Sequence, residues 1–224
     1  MDVAFPAAPP TKPSLLTMKK YLVEFIGTFF LVFTVGMTVL SPGAGPLAPI
    51  AIGASLMIMV FAGGHISGGH YNPAVTLAVW LRGRCETKDV LPYWLAQLLA
   101  AALAACLVHF FKAPVEPGPL PIGAKAALLA EFLFTFALAW VVLNTATAKS
   151  TAGNSFYGLA IGMTVMTGAF AVGGVSGGAF NPAVATGITL MGLSTWGHYW
   201  IFLVGEMGAA VAAALVFKFA NGAD

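Results

Sequence analysis

Asparagine is followed by proline at two places in the chain, Asn72-Pro73 and Asn181-Pro182, and each pair opens a short apolar segment. Asparagine is favoured just before a helix, because its side-chain oxygen accepts a backbone N–H of the first turn. Proline at the first helical position loses no hydrogen bond. With the oxygen engaged, the amide can direct its NH₂ donors toward a polar solute. The sequence therefore predicts two helix starts, at Pro73-Ala74 and Pro182-Ala183, that present hydrogen-bond donors.

Each predicted helix start also carries a partial positive charge, roughly half an elementary charge. Half-helix dipoles of this kind exclude cations and protons from a pore while neutral molecules pass. We expect the glycine-rich stretches Gly63–Gly69 and Gly173–Gly178 to be non-helical and to offer carbonyl acceptors to the same lumen. A single Asn-Pro pair would be an ordinary helix start; two placed symmetrically favour a pore lined by Asn72 and Asn181.

The composition indicates where such a pore would lie. Of the 224 residues, 59% are hydrophobic and 8% are charged, whereas a soluble domain carries about a quarter charged residues. The chain is therefore predicted to be an all-α integral membrane protein, since its apolar runs are long and continuous rather than alternating. A net charge of +2 does not suggest nucleic-acid binding, and two cysteines provide neither a disulfide framework nor a metal site.

Six apolar stretches are long enough to cross a bilayer, which takes about 20 helical residues. They are Tyr21–Leu40, Leu47–Gly64, Val90–Phe111, Ala124–Thr145, Ser155–Val172 and His198–Ala220. The segments Pro73–Leu81 and Pro182–Met191 are too short, because about 1.5 Å per residue takes them only about 14 Å, to the middle of the membrane. We expect them to be re-entrant half-helices.

The chain is an internal duplication with landmarks at Glu24/Glu131, at the two Asn-Pro pairs and at Tyr93-Trp94/Tyr199-Trp200. Their offsets are 107, 109 and 106 residues. Each copy holds three spans, so the second copy must insert inverted, and inverted repeats bring their short helices together at the midplane. The predicted organisation is a flexible cytoplasmic tail (1–18), a first repeat (19–112), an extracellular linker (113–121) and a second repeat (122–220).

Basic residues indicate the orientation. With both termini on one side, that side holds eight lysines and arginines, and the other holds only Lys112 and Lys125. The positive-inside rule makes the richer side cytoplasmic. We predict a multi-pass protein of the cell (inner) membrane with both termini in the cytoplasm. Aromatic residues near the span ends, including Trp94 and Tyr199, are interpreted as interfacial anchors.

The segment Ser67–Thr76, the two Asn-Pro-Ala motifs and the glutamate in the first span of each repeat resemble the aquaporin (major intrinsic protein) family over nearly the whole chain. The resemblance implies six transmembrane helices with two half-helices, one pore per subunit and a homotetramer. It also implies that Glu24 and Glu131 anchor the re-entrant loops, in agreement with the need of buried membrane carboxylates for partners. It implies neither a catalytic centre nor a cofactor or metal.

The chain departs from the water-selective members, which carry an arginine directly after the second Asn-Pro-Ala. Here that residue is Val184, and residue spacing places Ile52, Ala169 and Gly178 at the other three positions of the constriction. A wider, apolar constriction predicts passage of water and of ammonia, urea, glycerol or hydrogen peroxide. The second repeat resembles plant vacuolar aquaporins, whereas the N-terminal context looks bacterial.

Alternatives remain open on the sequence. Val184 could be neutral variation in a water-only pore. A secondary transporter also uses inverted repeats and broken helices, but the mid-membrane loops hold no carboxylate, and no nucleophile–base pair suggests an enzyme. His65 is expected to line the cytoplasmic pore mouth, with a pH gate as the alternative, and His70 to pack against the loop. Glu206, inside the last span, is either functional or paired within the bundle.

Overall fold

The computed structural model describes residues 15–113 and 118–222. This part of the chain contains eight α-helices and no strand. The helices are α1 (Leu15–Val39), α2 (Ala48–Ser67), α3 (Pro73–Leu81), α4 (Thr87–Lys112), α5 (Ala124–Val142), α6 (Tyr157–Ser176), α7 (Pro182–Leu190) and α8 (Tyr199–Asn221).

Six of these helices are long and apolar enough to span a membrane, as predicted. The remaining two, α3 and α7, have nine residues each and start at the predicted prolines. Helix α3 ends where the sequence places its end, and α7 ends one residue before the predicted Met191. The prediction of an all-α membrane fold with six spans and two half-helices is confirmed.

The two repeats pack in equivalent ways and exchange their half-helices. Helix α1 packs on α2 and α4, and α5 packs in the same manner on α6 and α8. Helix α3 of the first repeat lies against α8, whereas α7 of the second repeat lies against α4. Each half-helix therefore packs against the last long helix of the opposite repeat, so the interior of each repeat contains a half-helix from the other.

The buried faces of α4 and α8 determine how these two helices correspond. Both bury four alanines at the same spacing: Ala100, Ala101, Ala104 and Ala105 in α4, and Ala209, Ala210, Ala213 and Ala214 in α8. These positions are related by 109 residues, the offset of the Asn-Pro pairs. The Tyr-Trp landmark, with its offset of 106, lies about one helical turn out of this register. Small residues allow the close helix contacts that stabilise membrane bundles.

The glycine-rich stretches were predicted incorrectly as non-helical. Helix α2 continues to Ser67 and α6 to Ser176, so the non-helical backbone begins only at Gly68 and Gly177. Both glycines adopt left-handed φ values, 92° and 98°, that end a helix at little cost to glycine. Backbone groups inside a bilayer must be hydrogen-bonded, which explains why the helices persist for as long as the chain permits.

The predicted tail and the predicted linker lie only partly within the described residues. Helix α1 begins at Leu15, inside the segment 1–18 that was expected to be a tail, and residues 1–14 lie outside the described residues. Of the predicted linker 113–121, residues 114–117 also lie outside them. Leu120 is tied to the second repeat, because its N–H donates to the carbonyl of Leu193 at 3.1 Å.

Candidate functional site: the junction of the two half-helices

Both half-helices begin with an asparagine cap. The side-chain oxygen of Asn72 accepts the N–H groups of Ala74 at 2.8 Å and Val75 at 3.3 Å. The oxygen of Asn181 accepts the N–H of Ala183 at 2.9 Å. Since both oxygens are engaged in this way, the amide nitrogens point away from their own helices.

The two amide nitrogens link the repeats across the midplane. Asn72 Nδ2 donates to the carbonyl of Phe180 at 2.8 Å, and Asn181 Nδ2 donates to the carbonyl of Tyr71 at 2.8 Å. The sequence predicted that these donors point into the lumen and did not predict the reciprocal bonds. Each NH₂ group has two hydrogens, and within the described part of the chain one of them remains for a solute.

The residues that accept these bonds have an unusual backbone. Tyr71 and Phe180 are the only described non-glycine residues with positive φ, at 48° and 49°. Left-handed backbone is costly for aromatic residues and persists where the surroundings enforce it. Here it accompanies carbonyls that meet the opposite asparagine. The asparagine spacing is visible in the sequence, whereas this conformation carries no sequence signal.

Glu24 anchors the first re-entrant loop through both carboxylate oxygens. Oε1 accepts the hydroxyl of Ser67 at 2.7 Å and the N–H of His70 at 2.9 Å. Oε2 accepts the N–H of Tyr71 at 2.7 Å and the amide of Gln97 at 2.8 Å. Four donors fill the carboxylate of a fully buried side chain, as a charge inside a membrane requires.

Glu131 forms the matching anchor in the second repeat. Its Oε1 accepts the hydroxyl of Ser176 at 2.6 Å and the N–H of Ala179 at 3.1 Å. Its Oε2 accepts the N–H of Phe180 at 2.7 Å. Glu24 and Glu131 therefore accept backbone N–H groups of the re-entrant loops at matching positions in the two repeats.

Aromatic side chains add further support to the half-helices. The Tyr93 hydroxyl donates to the carbonyl of Ser67 at 2.7 Å, and the indole N–H of Trp94 donates to that of Pro73 at 3.1 Å. Tyr199 shares a hydrogen bond of 2.8 Å with the hydroxyl of Thr186 in α7. Their interpretation as interfacial anchors missed these contacts, because a hydrogen bond to a re-entrant loop leaves no pattern in the sequence.

Three adjoining cavities run through the bundle. The middle cavity measures about 50 Å³. The terminal-side vestibule, lined by Lys20, His65 and Asn154 among others, measures about 680 Å³. The far-side vestibule, lined by Gly45, Gly118 and Ser194 among others, measures about 380 Å³. At about 10–15 Å³ for each water, the middle cavity holds only a few molecules.

Most of the sequence-predicted pore residues line the middle cavity: Asn72, Asn181, Ile52, Ala169, Gly178 and Val184. His65 does not, since it lies in the last turn of α2 and lines the terminal-side vestibule. His70 borders both spaces and hydrogen-bonds Thr76 at 3.1 Å through Nδ1. Pro73, Ala74, Pro182 and Ala183 are buried behind the caps.

Within the described residues no lysine, arginine, aspartate or glutamate lines the middle cavity. Its polar side chains are the two asparagines and His70, and the rest of the lining is aliphatic side chains and backbone. The same part of the chain contains no group of three histidine, cysteine, aspartate or glutamate residues that could hold a metal ion. Such a lining can hydrogen-bond a neutral solute at the junction and offers no charged group as an ion ligand.

Residues 11–217 match the family model described as Major intrinsic protein. The chain belongs to this family. It is 37% identical over 215 residues to aquaporin NIP1-4 of Oryza sativa subsp. japonica, covering 92% of this chain and 78% of that protein. It is 35% identical over 207 residues to glycerol uptake facilitator protein-like 6 of Lactiplantibacillus plantarum, covering 88% of this chain and 95% of that protein.

A solved structure is similar to this member of the major intrinsic protein family along nearly its whole length. The X-ray structure of the aquaglyceroporin from Plasmodium falciparum superposes with a TM-score of 0.75 at 21% identity, covering 90% of this chain and 96% of that one. The likeness supports the fold. The family predicted from the Asn-Pro-Ala motifs is confirmed, and the finer resemblance to vacuolar-type members stays a prediction.

Proposed function

We propose that this major intrinsic protein is a passive channel for water and small neutral solutes such as ammonia, urea, glycerol or hydrogen peroxide. The main support is the narrow cavity at the junction of α3 and α7. There Asn72 and Asn181 supply hydrogen-bond donors between two wide vestibules. Only at this depth in the pore does a solute exchange part of its hydration for hydrogen bonds to the two asparagines. Family membership supports the channel class.

The proposed selectivity depends on four residues around that cavity. Ile52, Ala169, Gly178 and Val184 place only aliphatic groups or hydrogen there. Without an arginine the constriction has more room and no fixed side-chain charge. We infer that exclusion of cations and protons depends on the two half-helix dipoles and the two amides.

The remaining parts of the proposal concern the setting. The channel is a homotetramer in the cell (inner) membrane, with both termini in the cytoplasm. This orientation makes the terminal-side vestibule the cytoplasmic mouth, where His65 is a lining residue. No catalytic residue, cofactor or metal takes part in passive flux.

Stopped-flow light scattering on proteoliposomes tests the proposal with water, glycerol, urea and ammonia as permeants. Val184→Arg should lower glycerol and urea permeability by about tenfold, equivalent to about 1.4 kcal/mol of barrier, and should lower water permeability less. Val184→Met adds length without charge, so it separates the steric part of the effect. A wild-type pore that passes water alone would contradict the broad selectivity.

A water-only channel is the second candidate, favoured by the small volume of the middle cavity, about 50 Å³. The same permeability series distinguishes the two. A secondary transporter would instead give saturable, gradient-coupled uptake.

A further inference from the structure

The register of α4 and α8 makes Gln97 and Glu206 equivalent positions. The two residues are 109 apart, the same offset that relates the four buried alanines of each helix. Both side chains are fully buried beside the half-helix of their own repeat. The two repeats thus place an amide and a carboxyl group at one structural position.

Gln97 acts as a donor to the anchor of the first repeat. Its Nε2 donates to Glu24 Oε2 at 2.8 Å and to the Thr76 hydroxyl at 3.1 Å. The amide therefore supplies the fourth hydrogen bond of the Glu24 carboxylate. In the second repeat, Glu131 receives three donors from its own loop and helix α6, so the same position is left for Glu206.

Glu206 meets both the loop and the anchor. Its Oε1 accepts the backbone N–H of Asn181 at 2.9 Å, and its carboxyl group lies beside that of Glu131. Its Oε2 has no N–H or O–H partner in the described part of the chain. Two ionised carboxylates repel each other and cannot hydrogen-bond, because each can only accept.

Among the described residues, no basic side chain interacts with Glu206. The electrostatic neighbours of Glu206 are Glu131 and the hydroxyl of Tyr199, and neither is a cation. Burying a second uncompensated charge costs far more than keeping one proton on the pair. Because Glu131 already accepts three donors and Glu206 accepts one, the proton belongs on Glu206.

We propose that Glu206 is a protonated positioning residue whose Oε2–H donates to Glu131 while its Oε1 holds the backbone N–H of Asn181. The neutral carboxylic acid thereby donates a hydrogen bond to the glutamate of the second repeat, as the amide of Gln97 does to Glu24 in the first. It keeps one negative charge, rather than two, behind the half-helix start. Its effect on flux rests on the proposed channel function, whereas its protonation does not.

Infrared difference spectroscopy on the full-length protein in lipid tests the protonation directly. The wild type should show the C=O stretch of a protonated carboxylic acid at neutral pH, and Glu206→Gln should remove that band. Gln97→Glu should add a second band, because the mirror position then carries the acid beside Glu24. A wild-type spectrum that lacks any protonated carboxyl band sensitive to Glu206→Gln would overturn the proposal, whether or not the protein conducts water.

Permeability and stability measurements test the positioning role. Glu206→Gln keeps a donor for Glu131 and an acceptor for Asn181, so water permeability should stay within about twofold of the wild type. Glu206→Leu removes both, and permeability per channel should fall by about tenfold, equivalent to about 1.4 kcal/mol. If the leucine variant fails to fold, rescue of folded yield by glutamine still supports the proposal. A glutamine variant as impaired as the leucine variant would contradict it.

Discussion

Gly53 and Gly162 lie against each other where α2 and α6 cross, each at the position equivalent to the other in the inverted repeat. A Cβ atom added to Gly53 would approach the carbonyl oxygen of Gly162 to 2.7 Å, and one added to Gly162 would meet the carbonyl of Gly53 and, at 2.6 Å, the Cβ of Met57. The two repeats therefore touch through backbone at this crossing.

Gly162→Ala should destabilise the bundle by about 1–3 kcal/mol, because rigid backbone must move to admit the methyl group. The measurement is the thermal unfolding midpoint of the purified protein in detergent. Gly174→Ala is the matched control, since it lies in the same helix with no heavy atom within 4 Å of the added carbon. Equal midpoints for the two variants would contradict the close crossing.

Asn72→Asp should retain the helix cap and lose the donor. The aspartate oxygen can still accept the N–H of Ala74, but an ionised carboxylate faces the carbonyl of Phe180 and cannot donate to it. We expect water permeability in proteoliposomes to fall by about tenfold, equivalent to about 1.4 kcal/mol of barrier. Acidification should restore part of the flux, because the protonated acid is again a donor.

Asn221→Asp provides the control for this change. Asn221 also donates through Nδ2 to a backbone carbonyl, that of Phe217 at 3.1 Å, but it lies at the end of α8 outside the lining of the middle cavity. Its substitution should leave permeability unchanged. An Asn72→Asp channel with wild-type permeability at neutral pH would refute the role of the amide donor.

Glu24→Gln should destabilise the first re-entrant loop. The amide NH₂ of glutamine would face at least two of the four donors that the carboxylate now accepts, and each unsatisfied buried group costs about 1–3 kcal/mol. The thermal midpoint and the water permeability should both decrease. Glu86→Gln, which breaks an exposed pair with Lys88, should leave the thermal midpoint nearly unchanged, because exposed ion pairs contribute little to stability. A similar midpoint for both variants would argue against the anchor.

Cys85 offers a pH-dependent test of the terminal-side vestibule that it lines. Partial burial and the nearby carboxylate of Asp89 raise the pKa of its thiol to about 11. Because the thiolate is the reactive form, maleimide labelling should be slow at neutral pH and should accelerate about tenfold per pH unit below that pKa.

The same residue tests the proposed orientation. A membrane-impermeant maleimide should label Cys85 in inside-out vesicles and not in sealed right-side-out vesicles. Cys85→Ser is the control, since it leaves only Cys106 of α4, which is exposed on the outside of the bundle. Labelling of Cys85 from outside intact cells would show that the termini are not cytoplasmic.

Much of the fold could be predicted from the sequence, because the bilayer restricts which structures can span it. A helix inside lipid must satisfy its own backbone and must match a fixed thickness, so hydropathy and length are sufficient to predict six spans. The half-helices were equally predictable, since proline sets where α3 and α7 start and the following charged or glycine-containing turns end them. The glycine-rich stretches failed for the opposite reason: glycine permits a break but does not require one where the membrane favours hydrogen-bonded helix.

The candidate site divides in the same way. The spacing of Asn72 and Asn181 indicated that two caps would meet, because an odd number of spans inverts the second repeat. The reciprocal hydrogen bonds to the carbonyls of Tyr71 and Phe180 could be seen only in the tertiary structure. They depend on left-handed backbone at these two residues, and tyrosine and phenylalanine do not predict that conformation. The match of Tyr93 with Tyr199 gave a register for α4 and α8 that is wrong by about one helical turn, because identical residues in two helices need not lie at equivalent buried positions.

By itself, then, the sequence determined which segments cross the membrane, where the two half-helices start and to which family the chain belongs, because these follow from local hydropathy, proline and asparagine chemistry. Only the tertiary structure decided which groups satisfy one another at the midplane, including the hydrogen bond from the backbone N–H of Asn181 to Glu206. Those contacts join residues far apart in the chain, and their geometry depends on how the inverted repeats pack.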